Sequence, residues 1–170
     1  MDKTLFVFPS GWGWLGLAIT KKGLAGVVLP QSTEAMAWER LLAEHPGGTR
    51  EEDDQWPEVR LELLEYLEGK HPDFSGIRLD LPDRPPFWHK VWEACARIPY
   101  GETRSYAALA AEAGSPRAFR AVGGAMAANP IPIIVPCHRV VGSNGSLVGF
   151  GGGLPQKKRM LEMEAAAMRG

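Results

Sequence analysis

The chain has 170 residues, enough for one ordinary domain or two small ones, and its hydrophobic content of 45% is typical of a globular protein. No apolar run approaches the ~18 residues of a membrane-spanning helix, and the start, MDKTLFVFPSGWGW, lacks the features of a signal peptide. We therefore expect a cytoplasmic protein without a membrane partner. Its two cysteines, Cys95 and Cys137, should stay reduced there.

The net charge of −1 conceals an uneven distribution. Residues 1–83 contain 8 Lys+Arg and 15 Asp+Glu, a balance of −7, whereas residues 84–170 contain 11 Lys+Arg and 5 Asp+Glu, a balance of +6. This division indicates two modules, of which the second is suited to contact a polyanion. The charges alone leave open the alternative that surface charges cluster by chance.

The acidic half predicts a small α+β domain. Its apolar runs, separated by turn residues, predict three antiparallel strands: TLFVFPS, WLGLAIT and LAGVVLP. A helix is predicted over TEAMAWERLLAEH, capped by Thr33 or Ser32, and another over WPEVRLELLEYLEG, closed by Gly69. We expect one more strand in GIRLDL and a solvated loop in EEDD. None of these segments carries an obvious chemical role.

A proline-rich segment, LPDRPP, predicts the boundary between an N-terminal domain of residues 1–82 and a C-terminal domain of residues 83–170. After it, FWHKVWEACARI predicts an amphipathic helix. Cys95 lies on the apolar stripe of this helix, where packing is a far commoner role for a cysteine than reactivity.

Two short helices are predicted in SYAALAAEAGSPRAFRAVGGAMAANP. Ser105 can cap the first, which ends at Gly114. Ser115 and the proline after it should start the second, and Asn129 with its own proline should stop it. Two short helices joined by a glycine turn are the outline of a helix-turn-helix, but a plain helical hairpin fits this outline as well.

The second of these helices contains Gly123 and Gly124. A glycine costs about 1 kcal/mol in a helix relative to alanine, so the close approach of another surface should compensate. That surface is either a neighbouring helix or a nucleic-acid groove. Arg120 projects from the same helix and is either a solvated charge or a side chain that reaches into DNA.

The segment NPIPIIVPCHRVVG places Cys137 and His138 after a hydrophobic, proline-rich run. A thiol is only slightly ionised at neutral pH and burial hinders its ionisation, so Cys137 is inert unless a base or a cation serves it. Adjacent side chains of a strand point to opposite faces, so the two residues can cooperate only at a bend. Such a dipeptide by itself is more often structural than catalytic.

Metal binding is not indicated, because the chain has no CxxC or HxxxH motif and its four histidines are scattered. The segment GSNGSLVGFGGGLPQKK lacks the spacing of a phosphate-binding loop. It predicts a turn and a flexible loop whose backbone a ligand can approach closely. We expect neither a metal nor a cofactor.

From about Pro86 to the end, the chain resembles the C-terminal domain of the O6-alkylguanine-DNA alkyltransferases, or methylated-DNA–protein-cysteine methyltransferases. The likeness is centred on PCHRV and includes the order of helix-turn-helix, Asn-Pro, PCHRV, glycine loop and final helix. The N-terminal module is similar to that family's ribonuclease-H-like domain in length and position only. The resemblance implies an α+β fold: a small ribonuclease-H-like domain followed by a mostly helical domain with a helix-turn-helix.

The resemblance implies that the chain repairs DNA by a single, irreversible transfer of an alkyl group from O6-alkylguanine to Cys137. His138 would take the thiol proton through a water, and Glu164 would orient His138. Asn129 would hold the turn near the site. Tyr106 would contact the guanine and protonate the leaving base.

The same resemblance implies a DNA surface and a base pocket. Arg120 would fill the gap left by the flipped nucleotide. The neighbouring DNA contacts would be Ala121, Gly124 and Ala125, together with Tyr106. The pocket would be formed by Met126, Pro130, Pro132, Val140, Phe150 and Gly151, with the carbonyls of Cys137 and Val140 reading the guanine amino group and the Gly151 N–H facing O6.

The implied partner is double-stranded DNA that carries O6-alkylguanine, bound by a monomer. Phe150 stands where active bacterial relatives usually have a tyrosine, and residues 1–83 contain no cysteine for a structural zinc. Three alternatives remain: a non-catalytic damage sensor, against which Cys137 argues; a transcription factor, which needs polar base-reading residues; and a cysteine hydrolase, which acts without DNA.

Overall fold

A computed structural model describes residues 2–148 and 153–170. They form two compact units, Met1–Pro82 and Asp83–Gly170, and the division lies within the proline-rich segment LPDRPP. The molecule is mixed α+β, which confirms the predicted class. None of the described helices has the length and hydrophobicity needed to cross a membrane.

The first unit is built on a four-stranded sheet with the order β3-β2-β1-β4. The three predicted antiparallel strands are confirmed as β1 (Thr4–Ser10), β2 (Gly13–Ile19) and β3 (Leu24–Gln31). A two-residue strand, β4 (Thr49–Arg50), pairs parallel with β1. A pattern of alternating residues cannot reveal a strand this short, so it was not predicted.

Both predicted helices of this unit are confirmed as α1 (Glu34–Glu44) and α2 (Pro57–Leu67). The Thr33 hydroxyl caps α1 by accepting from the Met36 N–H at 3.1 Å, and Gly69 follows α2 with φ 89°. The strand predicted in GIRLDL is wrong. This segment meets the sheet at one parallel bridge, between Leu79 and Leu24, because it touches only the first residue of β3.

The second unit contains four helices: α3 (Pro86–Ala96), α4 (Tyr106–Glu112), α5 (Phe119–Ala127) and α6 (Leu154–Arg169). Two short parallel strands, β5 (Arg104–Ser105) and β6 (Val140–Val141), join the start of α4 to the segment after His138. The indole N–H of Trp92 in α3 donates to the Ala125 carbonyl of α5 at 2.8 Å, which fixes these two helices together.

The helix ends in this unit agree with the sequence at three positions and differ at one. Ser105 caps α4 by accepting from the Ala108 N–H at 3.0 Å, as predicted. Gly114 follows α4 with φ 96°, and α5 stops before Asn129. The predicted start of α5 at Ser115 is wrong, because the Ser115 carbonyl accepts from the Ala118 N–H and closes a separate turn. α5 therefore begins at Phe119 without a side-chain cap.

Candidate active site around Cys137

The apolar run before Cys137 is a buried turn held by Asn129. The Asn129 carbonyl oxygen accepts from the Ile131 N–H at 3.0 Å, and its amide donates to the Val135 carbonyl at 2.8 Å. Ile133 adopts φ 74° within this turn. That conformation costs a β-branched residue roughly 1–2 kcal/mol, so the surrounding contacts must enforce it. The turn delivers Cys137 to the start of a short 3-10 helix, Cys137–Arg139.

The Cys137 thiol is buried. Burial raises its pKa, and three kinds of group partly oppose the increase: the Asn129 side chain by a hydrogen bond, Lys157 by its charge, and backbone N–H groups at Cys137 and His138. The pKa remains above its ordinary value, so the resting group at neutral pH is a thiol. The site must therefore supply a base before the sulfur can attack a substrate.

His138 and Glu164 form a buried pair. The ring nitrogen Nε2 of His138 and the Glu164 carboxylate oxygen Oε2 are 2.5 Å apart. Burial lowers the pKa of His138, and Glu164 only partly restores it, so the ring is neutral at physiological pH. An ionised carboxylate can only accept, so Nε2 carries the ring proton and Nδ1 keeps the basic lone pair. This tautomer is the one that a general base requires.

Arg139 keeps the Glu164 carboxylate ionised. Its guanidinium donates to both carboxylate oxygens, at 2.8 Å from Nε and 3.2 Å from Nη2, and the Gly101 N–H donates to Oε1 at 3.0 Å. Burial raises the pKa of Glu164, but His138 and Arg139 outweigh burial and lower it to about 2. The remaining guanidinium nitrogen, Nη1, donates to the Ile98 carbonyl at 2.8 Å, which completes a rigid support for His138.

Tyr106 and Lys157 converge on one carbonyl at the other side of the site. The Tyr106 hydroxyl donates to the Val148 oxygen at 3.4 Å, and the Lys157 ammonium group donates to the same oxygen at 2.9 Å and to the Val140 oxygen at 2.7 Å. Burial raises the pKa of Tyr106, and the Cys137 charge adds to this effect. Tyr106 and Cys137 are therefore close enough to interact electrostatically.

Sequence reasoning did not identify Lys157 or Arg139 as parts of the site. A signal for Lys157 exists, because it lies three residues before Met160 and seven before Glu164, and all three are buried on one stripe of α6. A lysine at such a position is almost never buried without partners. Arg139 lies within PCHRV, but only the fold reveals that it pairs with Glu164.

Helix α5 has one face in the core and one face open. Ala125, which we predicted at the DNA surface, is fully buried. At Gly124 an added side-chain carbon would lie 3.2 Å from the Trp88 ring, so this glycine accommodates α3. At Gly123 no described atom lies within 4 Å of such a carbon. Arg120 is exposed, and the Phe119 side chain at the start of the helix is 51% exposed.

The remaining predicted pocket residues lie around the Asn129 turn and β6. Met126, Pro132 and Val140 are buried, Pro130 is half-buried and Ala121 is half-buried on α5. Phe150 and Gly151 lie outside the described residues. Within residues 2–148 and 153–170, no group of three His, Cys, Asp or Glu side chains could hold a metal ion.

Residues 86–166 match the family model of the 6-O-methylguanine DNA methyltransferase DNA-binding domain. The chain is 40% identical over 152 residues to the inducible methylated-DNA–protein-cysteine methyltransferase of Bacillus subtilis, covering 89% of this chain and 84% of that one. It is 49% identical over 113 residues to the Mycobacterium leprae methylated-DNA–protein-cysteine methyltransferase, covering 66% and 67%.

Solved structures agree with these relatives. The crystal structure of Mycobacterium tuberculosis OGT in complex with DNA is similar with a TM-score of 0.81 and 36% identity, covering 96% of this chain and 94% of that one. The O6-methylguanine-DNA methyltransferase of Pyrococcus kodakaraensis is similar with a TM-score of 0.70 and 26% identity, covering 95% and 98%. By sequence and by fold, the chain belongs to the methylated-DNA–protein-cysteine methyltransferase family.

Proposed function

We propose that this chain repairs DNA by transferring the alkyl group of O6-alkylguanine to the sulfur of Cys137. The observation that carries the proposal is the buried thiol next to a His138–Glu164–Arg139 relay in a member of this family. A buried thiol with a raised pKa needs a base at hand, and a neutral histidine with its basic nitrogen free of the carboxylate provides one.

The reaction moves one proton and one alkyl group. His138 takes the Cys137 proton through a water, and the sulfur attacks the alkyl carbon. The S–C bond forms as the C–O6 bond breaks, and the electron pair of that bond stays on the guanine. Tyr106 gives a proton to the departing base, and the proton held by His138 replaces it through water. The thioether product is a poor leaving group, so each molecule acts once.

Glu164 and Arg139 act on His138. An ionised carboxylate with a pKa of about 2 stabilises the imidazolium that forms when the thiol loses its proton. The Arg139 fork fixes the plane of the carboxylate through two hydrogen bonds. His138 is thereby held in one tautomer and one orientation before the substrate arrives.

DNA would bind at the second unit, where α4 and α5 act as a helix-turn-helix. The base must leave the duplex to reach a buried thiol. The open face of α5 suits the minor groove because Gly123 and Ala121 are small, while Arg120 can occupy the vacated stack. Ala125 is left out of this surface because it is buried, and Gly124 because it packs on Trp88.

The first unit would be a ribonuclease-H-like domain with a supporting role, and the active species a monomer on double-stranded DNA. The order β3-β2-β1-β4, with three antiparallel strands, one parallel edge strand and α1 packed on them, supports this assignment. The non-catalytic damage sensor remains the alternative function. It has no use for a reactive thiol, whereas Cys137 lies beside a complete activating relay.

The test is to mix the protein with a duplex that contains O6-methylguanine and to weigh its peptides. We expect one added methylene mass on the Cys137 peptide of each molecule and an unmodified Cys95. The variant Cys137→Ser should not take up the methyl group, yet should still bind the alkylated duplex, because the proposed DNA contacts lie on other residues. Methylation of Cys95, or uptake by the variant, would refute the proposal.

A further inference from the structure

Helix α6 carries a buried charge that the proposed reaction leaves unexplained. Lys157 is fully buried, and its ammonium group donates to the carbonyl oxygens of Val140 at 2.7 Å and Val148 at 2.9 Å. Two carbonyl dipoles orient a positive charge but do not neutralise it. Removing such a charge from water is costly, so its position calls for a compensating role.

The charge of Lys157 lies within electrostatic reach of the Cys137 sulfur. Burial raises the pKa of Cys137, and the positive charge of Lys157 is one of the effects that oppose this increase. In the reverse direction, burial lowers the pKa of Lys157 and the Cys137 thiolate opposes the decrease. Each group therefore favours the charged form of the other.

The other ionisable groups near the thiol do not supply this charge. Arg139 is matched by the Glu164 carboxylate at 2.8 Å, and His138 is neutral at physiological pH. Tyr106 and Cys95 are acids, and their charged forms would repel a thiolate. Among the residues that the structure describes, Lys157 is the buried cation at this site without a carboxylate partner.

We infer that Lys157 is a positioning residue for alkyl transfer, whose ammonium group stabilises the Cys137 thiolate and holds the Val140 and Val148 carbonyls in place. The inference rests on the proposed function only in naming the thiolate as the reacting species. Val140 is also the residue whose carbonyl we expect to read the guanine amino group. Lys157 would thus act on the nucleophile and on one wall of the base pocket.

The test uses iodoacetamide, which reacts with thiolates and needs no DNA. The alkylation rate at the Cys137 peptide is measured by mass spectrometry from about pH 6 to about pH 10 in the wild type, Lys157→Gln and Lys158→Gln. Glutamine keeps a donor for one carbonyl but removes the charge. Lys158 is the matched control, because its side chain is 67% exposed in the same helix.

We expect Lys157→Gln to react about tenfold more slowly near neutral pH and to approach the wild-type rate at high pH, where the thiol is ionised in both proteins. Lys158→Gln should follow the wild type. An equal loss at every pH would mean that Lys157 only supports the structure, and an unchanged profile would mean that its charge does not reach the thiol. Either result would overturn the inference.

A second measurement needs no change at Lys157. The titration of its side chain is followed by NMR in the wild type and in Cys137→Ala, and its pKa should be lower in the variant because the thiolate is gone. Equal values would overturn the inference. Normal alkylation profiles without transfer from DNA would refute the proposed function alone, whereas transfer from DNA with a Lys157→Gln profile that matches the wild type would refute only the role of Lys157.

Discussion

The two units of the chain treat charged side chains differently. In the first unit, Arg40 and Glu44 form an ion pair at 2.8 Å while their side chains stay 49% and 40% exposed. Within the described part of that unit, the buried charged or histidine side chain is His45, whose ring accepts from the Lys3 ammonium group. In the second unit, the buried members are His138, Arg139, Lys157 and Glu164.

This difference shows where the chain places chemistry in its interior. An exposed ion pair contributes about 0–1 kcal/mol, so the first unit depends on its apolar core, to which Leu5 and Leu41 belong. Breaking a buried pair costs about 3–5 kcal/mol, because it leaves an uncompensated charge. Changes at the site of the second unit should therefore affect reactivity and stability together, whereas changes in surface pairs should affect neither.

The largest effect should come from Glu164→Gln. This variant leaves Arg139 without its anionic partner and releases the His138 tautomer, so we expect the transfer rate to fall at least about 100-fold. The free energy of unfolding should fall by about 3–5 kcal/mol. Single-turnover kinetics and urea unfolding measure the two effects.

Glu162→Gln is the control for that variant. Glu162 lies on the same helix and forms an exposed pair with Lys158 at 3.7 Å, so its loss should change stability by less than about 0.5 kcal/mol. If the two glutamate variants behaved alike, the contrast between buried and exposed charges would lose its basis.

Arg120→Ala should slow repair of duplex DNA by about 100-fold, since base extrusion costs a few kcal/mol. Reaction with free O6-benzylguanine should change little, because a free base needs no extrusion. Arg117→Ala is the control, as Arg117 is exposed in the turn before α5 and carries the same charge. An equal loss on both substrates would assign Arg120 to the chemistry or to folding instead.

The sequence predicted the parts of this site that depend on local pattern. The cap at Ser105, the stop before Asn129 and the bend at Cys137 follow from residue types within a few positions. The contacts of Gly124 and Gly123 could not be distinguished, because they depend on which side of α5 meets Trp88. The role of Lys157 also depends on how α6 packs against β6, which is a long-range contact.

Acid should destabilise the second unit through Glu164. Its folded-state pKa of about 2 lies below the ordinary value of 4.5, so its stabilising contribution is present above about pH 4.5 and is lost as the pH falls toward 2. At pH 3 the loss from this group should be about 2 kcal/mol. Urea unfolding at pH 6 and pH 3, followed by hydrogen exchange of peptides from each unit, measures it.

The pH dependence should shrink by that amount in Glu164→Gln, which has no carboxylate to protonate there. Glu44→Gln, in the first unit, should keep the wild-type dependence because its ion pair is exposed. A wild-type profile in Glu164→Gln would show that other carboxylates control the acid transition.

The smallest effect should distinguish two exposed apolar side chains of the two units. Phe119 is 51% exposed at the start of α5, beside Arg120, and Leu61 is 52% exposed on α2. A phenylalanine that enters the minor groove can wedge against the bases and buries its ring on binding. We therefore expect Phe119→Ala to weaken binding to alkylated duplex about fivefold, or about 1 kcal/mol, and Leu61→Ala to leave it unchanged. Because the lost contact is apolar, Phe119→Ala should keep the wild-type salt dependence of binding, whereas Arg120→Ala should reduce its slope if the guanidinium also neutralises phosphate. Binding isotherms at several salt concentrations measure both quantities. Equal affinities for Phe119→Ala and the wild type would restrict the DNA contacts of α5 to Arg120 and its small neighbours.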